Sequence, residues 1–318
     1  MNKILNVVKI IMLFIILFFI GFTHNFVLQK QNVKNKEVII TKGDKPNEIY
    51  KKLGLKYNVF DKIYFRLTLN DRKIKNGYYL FSKNISKFEI IEQLINSRST
   101  QIVLTIPEGF TTDEVLDRIE QLGLATKKEM LESMKGYNFY YKHTDNFEGY
   151  LLPQTYFIAK GESPKEILDK ILNTFLQEYP VNKYDKDEMF NILTLASIVE
   201  KEANNDEDRP KVSAVFKNRL KISMPLQSDA TLRYELKRDV TKNDLKTNDS
   251  EYNTYKHRGL TPSPICNPGE KSIDAAINPE KDFNDLYFFM YKNKTYYSMT
   301  HEEHLNKRKE SGHLKWKR

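Results

Sequence analysis

"VIITKGDKPNEIYKKLGL", residues 38–55, decides how this chain is read. Val38, Ile39 and Ile40 are strand formers, Gly43-Asp44 is a turn signal, and Ile49 and Leu53 then recur four apart. That order predicts a strand, a tight turn and an amphipathic helix. The unit returns at residues 104–124, "LTIPEGFTTDEVLDRIEQLGL". Gly109, Glu114, Val115 and Ile119 stand where Gly43, Glu48, Ile49 and Leu53 stand in the first copy. Thr111 and Glu114 have the spacing of a capping box, in which each side chain bonds the other's backbone N–H. A third start, "SKFEIIEQL", puts Ser86 and Glu89 in those roles after a strand-like "GYYLF". The chain therefore reads as α+β, with a small α/β module at 37–99 and a larger mixed α+β domain at 100–318.

Upstream, "ILNVVKIIMLFIILFFIGF" is apolar from Ile4 to Phe22 except for Asn6 and Lys9. About 20 such residues span a bilayer. A cleaved signal would need small residues at the cut, and "FTHNFVLQK" has no Ala-x-Ala. An uncleaved transmembrane anchor is expected within residues 1–28, followed by a polar linker over 25–36. Lys3 and Lys9 precede the span and Lys30, Lys34 and Lys36 follow it, so charge leaves its orientation open.

The net charge of +9 suits an anionic partner: nucleic acid, phospholipid head groups or cell-wall polymer. No recognition helix, Cys/His finger or aromatic-basic RNA motif is present, so nucleic acid is not expected. The single cysteine, Cys266, excludes an internal disulfide and a cysteine-based metal cluster. It lies between prolines with no base in view and reads as a packed small side chain. No glycine-rich nucleotide fingerprint appears, and no cofactor is expected. In "THEEHLNKRK", His301 and His304 share a helix face but lack a third ordered ligand, so the stretch reads as a solvated helix without metal.

The larger domain is expected to hold helices at about 163–178, 186–203 and 210–221. A long irregular stretch follows, "SEYNTYKHRGLTPSPICNPGEKS", and "LYFFMYKNKTYYSM" closes with a hairpin about Lys-Asn-Lys. Long irregular loops in compact domains are usually functional or disordered. Asp185 and Glu188 start the helix that contains "TLASIVEKEANNDEDRP", residues 194–210. At about 100° per residue, Met189, Leu193, Ala196 and Glu200 fall in one stripe. Glu202 falls opposite, on the side expected to face water. A carboxylate held against apolar neighbours favours its protonated form, which suits a general acid. The bland alternative is a glutamate in a solvent-exposed last turn, paired with Lys201 or Lys211. Tyrosines and amides in "LQSDATLRY" and "EYNTYKHRGLTP" can stack on and bond sugars; they can equally reflect a chain rich in Tyr and Asn.

"LASIVEKEA", "VFKNRL…MPLQSDATLRY", "YNTY…GLTPSPICNPG" and "AINP", in this order, resemble the membrane-bound endolytic murein transglycosylase family (MltG, YceG-like). "IPEGFTTDEV" and "EGYLLPQTYFI" match its earlier blocks, though Leu151-Leu152 and Gln154 depart from them. The resemblance implies a LysM-like module near 37–99 and a lyase that cuts within nascent peptidoglycan strands. It also implies an active domain outside the cytoplasmic membrane and, as partners, glycan strands, that membrane and peptidoglycan synthases. Its catalytic glutamate matches Glu200; its cleft motifs match Glu148, Gln154, Tyr156, Gln227, Asp229, Tyr252, Asn253 and Tyr255. In the expected chemistry Glu200 protonates the bridging oxygen and then deprotonates the muramic C6 hydroxyl, leaving a 1,6-anhydro end. Two alternatives stand beside it: a hydrolase using Asp229 as second carboxylate, and a non-catalytic wall-binding or division scaffold.

Overall fold

The computed structural model describes residues 2–40, 43–96, 101–143 and 145–313. Helix α1 (Asn2–Phe22) runs into a π-helical stretch, Thr23–Leu28. Leu5–Leu28 is the one segment among the described residues long and apolar enough to cross a membrane. Most of its apolar side chains are exposed, the condition that a bilayer relieves.

The chain then forms β1 (Lys30–Gln31), β2 (Lys36–Ile40), α2 (Pro46–Lys52), α3 (Val59–Thr68), β3 (Gly77–Phe81), β4 (Ile85–Ser86) and α4 (Lys87–Asn96). Strands β2 and β3 are antiparallel, with Val38 opposite Tyr79 and Ile39 opposite Tyr78. Val38 and Ile40 point into a core with Ile49, Leu53, Tyr79, Phe81, Ile90 and Leu94, while Ile39 between them is exposed. This is the period-two alternation of a half-buried strand. The capping predicted for α4 is present: Ser86 N–H donates to Glu89 at 2.7 Å and Glu89 N–H to Ser86 Oγ at 3.2 Å.

The polar linker expected over 25–36 is a correction. Phe26 and Val33 are fully buried, and β1 pairs antiparallel with β4, Lys30 opposite Ser86. Phe26 joins Tyr50, Tyr64, Phe65 and Ile91 in a second core cluster. Isolated apolar residues in a polar stretch carry no periodicity, so the pattern of the sequence cannot mark them as core. Beneath this cluster lies an ion pair that only the fold assembles: Lys87 Nζ is 2.7 Å from Asp61 Oδ2, and both side chains are almost wholly buried.

Next come β5 (Gln101–Thr105), α5 (Thr112–Gln121), α6 (Lys127–Lys135), β6 (Thr155–Ala159), α7 (Pro164–Glu178), α8 (Lys186–Glu202), α9 (Arg209–Lys221), α10 (Asp229–Leu236), α11 (Lys242–Thr247) and α12 (Glu270–Ile277). The hairpin β7 (Tyr287–Tyr291) and β8 (Lys294–Ser298) and helix α13 (His301–Glu310) end the described chain. Strand β5 pairs with β6. By contacts the chain divides into two compact units. One reaches to Val103 and includes Phe157–Glu162; the other holds Leu104–Tyr156 and the chain from Ser163 onward. The whole is mixed α+β with one apolar N-terminal helix that could span a membrane.

In the second unit α8 is the buried element. Asp185 caps it, accepting from the N–H groups of Asp187 and Glu188 at 2.7 and 2.9 Å. Helices α9, α10 and α12 pack around it. Met189, Leu193, Ile198 and Val199 are fully buried, each contributing about 1.5–3 kcal/mol. Thr194 and Ser197 are buried too, and Ser197 Oγ accepts the Ile265 N–H at 3.0 Å. That bond pins the irregular "SPIC" stretch, with buried Cys266, onto the helix.

Candidate active site

Glu200 lies in the last turn of α8, and its side chain is 8% exposed. The expectation of an acid held among apolar neighbours is a correction: donors surround it. Ser272 Oγ donates to Glu200 Oε2 at 2.7 Å and the Gly269 N–H at 3.1 Å. Arg209 Nη1 stands 3.2 Å from the same oxygen. Gly269 and Ser272 come from the first turn of α12, Arg209 from the first residue of α9. The carboxylate thus sits where the α12 N–H groups converge and anions are favoured. Arg209 Nη1 also reaches Ser272 Oγ, at 2.6 Å. Arginine has only donors, so Ser272 accepts from it and its own proton points at Glu200. All three contacts fall on Oε2; none among the described residues reaches Oε1.

Arg209 is braced in turn. Asp206 accepts from its Nε at 3.2 Å, Lys271 pairs with Asp206, and Glu108 lies 3.7 Å from its Nη2. Gly109 has φ +78°, and a Cβ there would stand 3.3 Å from Lys201 Nζ. Its carbonyl accepts that ammonium at 2.6 Å. The second strand-turn-helix copy therefore delivers Glu108 and Gly109 to the end of α8, which explains why its turn carries glycine.

Asn267 links this end to Glu148. Its Oδ1 accepts the N–H groups of Gly149 and Leu151 at 3.0 and 2.8 Å, and its Nδ2 donates to Phe110 O at 3.0 Å. Glu148 is 2% exposed. It accepts from Thr112 N–H at 2.9 Å and Tyr234 Oη at 3.0 Å. Burial pushes its carboxyl up to about 7, opposed by those hydrogen bonds. Glu148 and Tyr234 line a cleft of about 760 Å³ with Thr111, Glu114, Lys201 and Arg238.

Glu202 overturns a second expectation. It does not stand free in water: it is half-buried, Ser228 Oγ donates to it at 2.6 Å, and burial raises its carboxyl above the usual range. Helix α8 is covered on both sides of its last turn, so a periodicity argument cannot assign one face to solvent.

Around Ser228 a second group gathers. Tyr255 Oη donates to Asp229 Oδ1 at 2.7 Å, and Gln227, at φ +54°, gives its N–H to Thr254 O at 3.0 Å. Asn253 is fully buried, with Nδ2 bonded to Asn248 O at 2.8 Å and Leu245 O at 3.1 Å. Tyr252 shares a hydrogen bond with Ser263 at 2.7 Å, and its ring lies 5.5 Å from that of Tyr234. Tyr156 is buried with its hydroxyl on Leu152 O at 2.7 Å. Gln154 is exposed and offers its carbonyl to Ile106 N–H at 2.9 Å. Of these residues, Asp229, Gln227, Tyr252 and Tyr255 present surface; Asn253 and Tyr156 brace loops.

The sequence reading missed Arg209, Ser272, Gly269, Lys201 as a brace, and Tyr234. The signal for Ser272 and Gly269 was available in "NPGEKS", a glycine N-cap with a serine three residues on. Arg209 had no such mark. His301 and His304 lie beside Tyr287 rather than around a shared center, and no group able to hold a metal exists among the described residues.

Residues 38–310 match the YceG-like family. A Bacillus subtilis (strain 168) protein named endolytic murein transglycosylase is 33% identical over 261 residues, covering 74% of this chain and 72% of the relative. A Streptococcus pneumoniae serotype 2 (strain D39 / NCTC 7466) protein of the same name is 31% identical over 284 residues. That alignment covers 74% of this chain and 50% of the relative, so the chain spans half the streptococcal length. The crystal structure of a yceG-like protein from Listeria monocytogenes aligns with a TM-score of 0.56 and 31% identity, over 86% of this chain and 98% of that one. The chain belongs to the YceG-like family.

Proposed function

We propose that this protein is an endolytic peptidoglycan transglycosylase, a lyase that cleaves within glycan strands with Glu200 as its single acid and base. The observation that carries this reading is the one-sided grip on Glu200. Three donors hold Oε2, leaving Oε1 to carry a transferable proton. Oε1–H donates to the oxygen bridging N-acetylmuramic acid and N-acetylglucosamine, and the muramic C1–O bond breaks. The C6 hydroxyl of the same ring closes onto C1 and returns its proton to Oε1. The product ends in a 1,6-anhydro ring, no water is consumed, and no second carboxylate is required. Throughout, Oε2 keeps its donors, so the carboxylate formed after proton donation is stabilised where it stands.

In this reading Gln227, Asp229, Tyr252 and Tyr255 offer the sugar-facing surface, and Glu148 and Gln154 frame neighbouring subsites. Asn253 and Tyr156 hold that surface in shape. Helix α1 anchors the chain in the cytoplasmic membrane, with the chain that follows it on the extracytoplasmic side. The module at 37–99 is LysM-like and positions nascent strands leaving peptidoglycan synthases. The domain at 100–318 is the catalytic one. The names of the relatives support the activity.

The test uses the full-length protein in detergent, with uncrosslinked peptidoglycan strands and product masses as readout. Ends one water lighter than reducing ends are expected, with a loss of about 100-fold or more in Glu200→Gln. Glu202→Gln keeps activity, because its amide mimics the protonated carboxyl that burial favours. Reducing ends instead would mean hydrolysis with Asp229 as second carboxylate. Strand binding without cleavage by the folded wild type would mean a scaffold.

A further inference from the structure

Helix α3 has two apolar faces, and only one meets the core. Tyr64 and Phe65 point inward with Asp61. On the other side Val59, Ile63 and Leu67 are spaced four apart; Val59 is 60% exposed and Leu67 78%. Lys62 and Arg66 flank that stripe and are exposed. Isolated exposed apolar residues need no explanation. A continuous stripe on a helix already joined to a membrane-length segment does.

The join is aromatic. The Phe60 ring lies 5.6 Å from that of Phe18 and 6.1 Å from that of Phe22, and Phe26 lies 4.4 Å from Tyr64. Asn58 Nδ2 donates to Asn25 Oδ1 at 2.9 Å. These contacts fix the depth of α3. If the apolar core of the span ends at Phe22, Phe18 lies about 6 Å inside it at 1.5 Å per residue. If the span runs to Leu28 and its whole excess over a bilayer of about 30 Å protrudes on this side, Phe18 lies about 9 Å inside. Either way the Phe60 ring reaches below the edge of the apolar layer, while Asn58 and Tyr64 stand level with Asn25 and Phe26, about 5 Å beyond Phe22, in the head-group layer where amphipathic helices lie.

We infer that α3 is a second membrane-contacting element: it lies in the bilayer interface beside α1, with Val59, Phe60, Ile63 and Leu67 in the acyl boundary and Lys62 and Arg66 at anionic head groups. The lysine and arginine stems can reach the head groups while their chains cover apolar surface. The consequence is that the first unit is held against the membrane rather than tethered beyond it. The inference rests on the reading of α1 as the anchor.

The test reconstitutes the full chain in vesicles of phosphatidylcholine and phosphatidylglycerol, with a nitroxide label at Leu67→Cys. Cys266 is buried and serves as the unlabelled background. Collision with oxygen should exceed collision with a water-soluble nickel complex severalfold at position 67, as at a Leu13→Cys control in the span. Nickel dominance at 67 with oxygen dominance at 13 overturns the inference and leaves the anchor standing. Nickel dominance at both overturns the anchor reading as well. A label at 67 that neither reagent reaches means a protein partner covers the stripe, and also overturns it. Val59→Cys, read the same way, provides a second site if Leu67→Cys fails to fold.

Discussion

Ser272 is where two accounts of Glu200 part. A glutamate that only capped α12 would still accept from Gly269 N–H and Ser272 Oγ. A catalytic one needs that hydroxyl to hold Oε2 while Oε1 exchanges its proton. Ser272→Ala removes one hydrogen bond to a charged group, worth about 1.5–3 kcal/mol. If that loss falls on the transition state, kcat drops about 10–100-fold with KM unchanged. Ser272→Thr keeps the hydroxyl and should restore most of the rate. A fall in melting temperature at unchanged kcat would make the contact a cap alone. Glu148 yields a different residue-scale expectation. Its folded carboxyl titrates at about 7 against an ordinary value of 4.5. Between those values the folded state binds the proton that the unfolded state has lost. Stability from this group is therefore fully present below about pH 4.5 and declines as pH rises through about 7, by on the order of 3 kcal/mol. Glu148→Gln should flatten that decline, as read from melting temperatures at pH 5 and pH 8. An unchanged slope would mean that Glu148 stays ionised in the fold.

At the scale of elements, the hairpin shows what sequence determines locally. Tyr287 stands opposite Ser298 and Tyr291 opposite Lys294, which leaves Lys292 and Asn293 as a two-residue loop. Both have left-handed backbones, φ +49° and +58°. Such turns match the twist of the strands and favour glycine at the second position. Asn293→Gly should stabilise the hairpin by about 0.5–1 kcal/mol, seen as a raised melting temperature; a lower one would mean that the turn is not left-handed there. The hairpin, the capped helices and the first strand-turn-helix were all legible because local chemistry marks them. The faces of α8 were not. A helix apolar on nearly every side has no preferred solvent direction, so Glu200 was placed among the wrong kind of neighbours and Glu202 in water. The partners of Glu200 come from positions 209, 269 and 272, across loops with no periodic pattern. Short motifs name such residues; only the fold brings them together. The Lys87–Asp61 pair was hidden for the same reason, its members lying 26 residues apart.

At the scale of the whole molecule, the apolar N-terminal helix and the rest of the first unit are one piece of structure. The boundary that composition suggests, a polar linker after the span, is crossed by buried side chains. Phe26 sits against Tyr64 and within a cluster with Tyr50, Phe65 and Ile91. Val33 is part of the neighbouring cluster, and Lys30–Gln31 pair with Ile85–Ser86. A soluble form should therefore not begin partway through that polar stretch. A chain starting at Lys30 lacks Phe26 and exposes the ring of Tyr64, while one starting at Thr23 keeps both. Losing a fully buried phenylalanine costs about 3–5 kcal/mol, a large share of the stability of a small unit. The longer form should protect the amides of α3 and α4 from hydrogen exchange, and the shorter one should lose that protection. The amides of α8, in the other unit, serve as the internal reference and should exchange alike in both forms. Equal protection of α3 and α4 in the two forms would mean that Phe26 only rests on a core complete without it. The loss expected here makes the last turn of the apolar N-terminal segment part of the fold, so the length of that segment and the stability of the first unit cannot be varied independently.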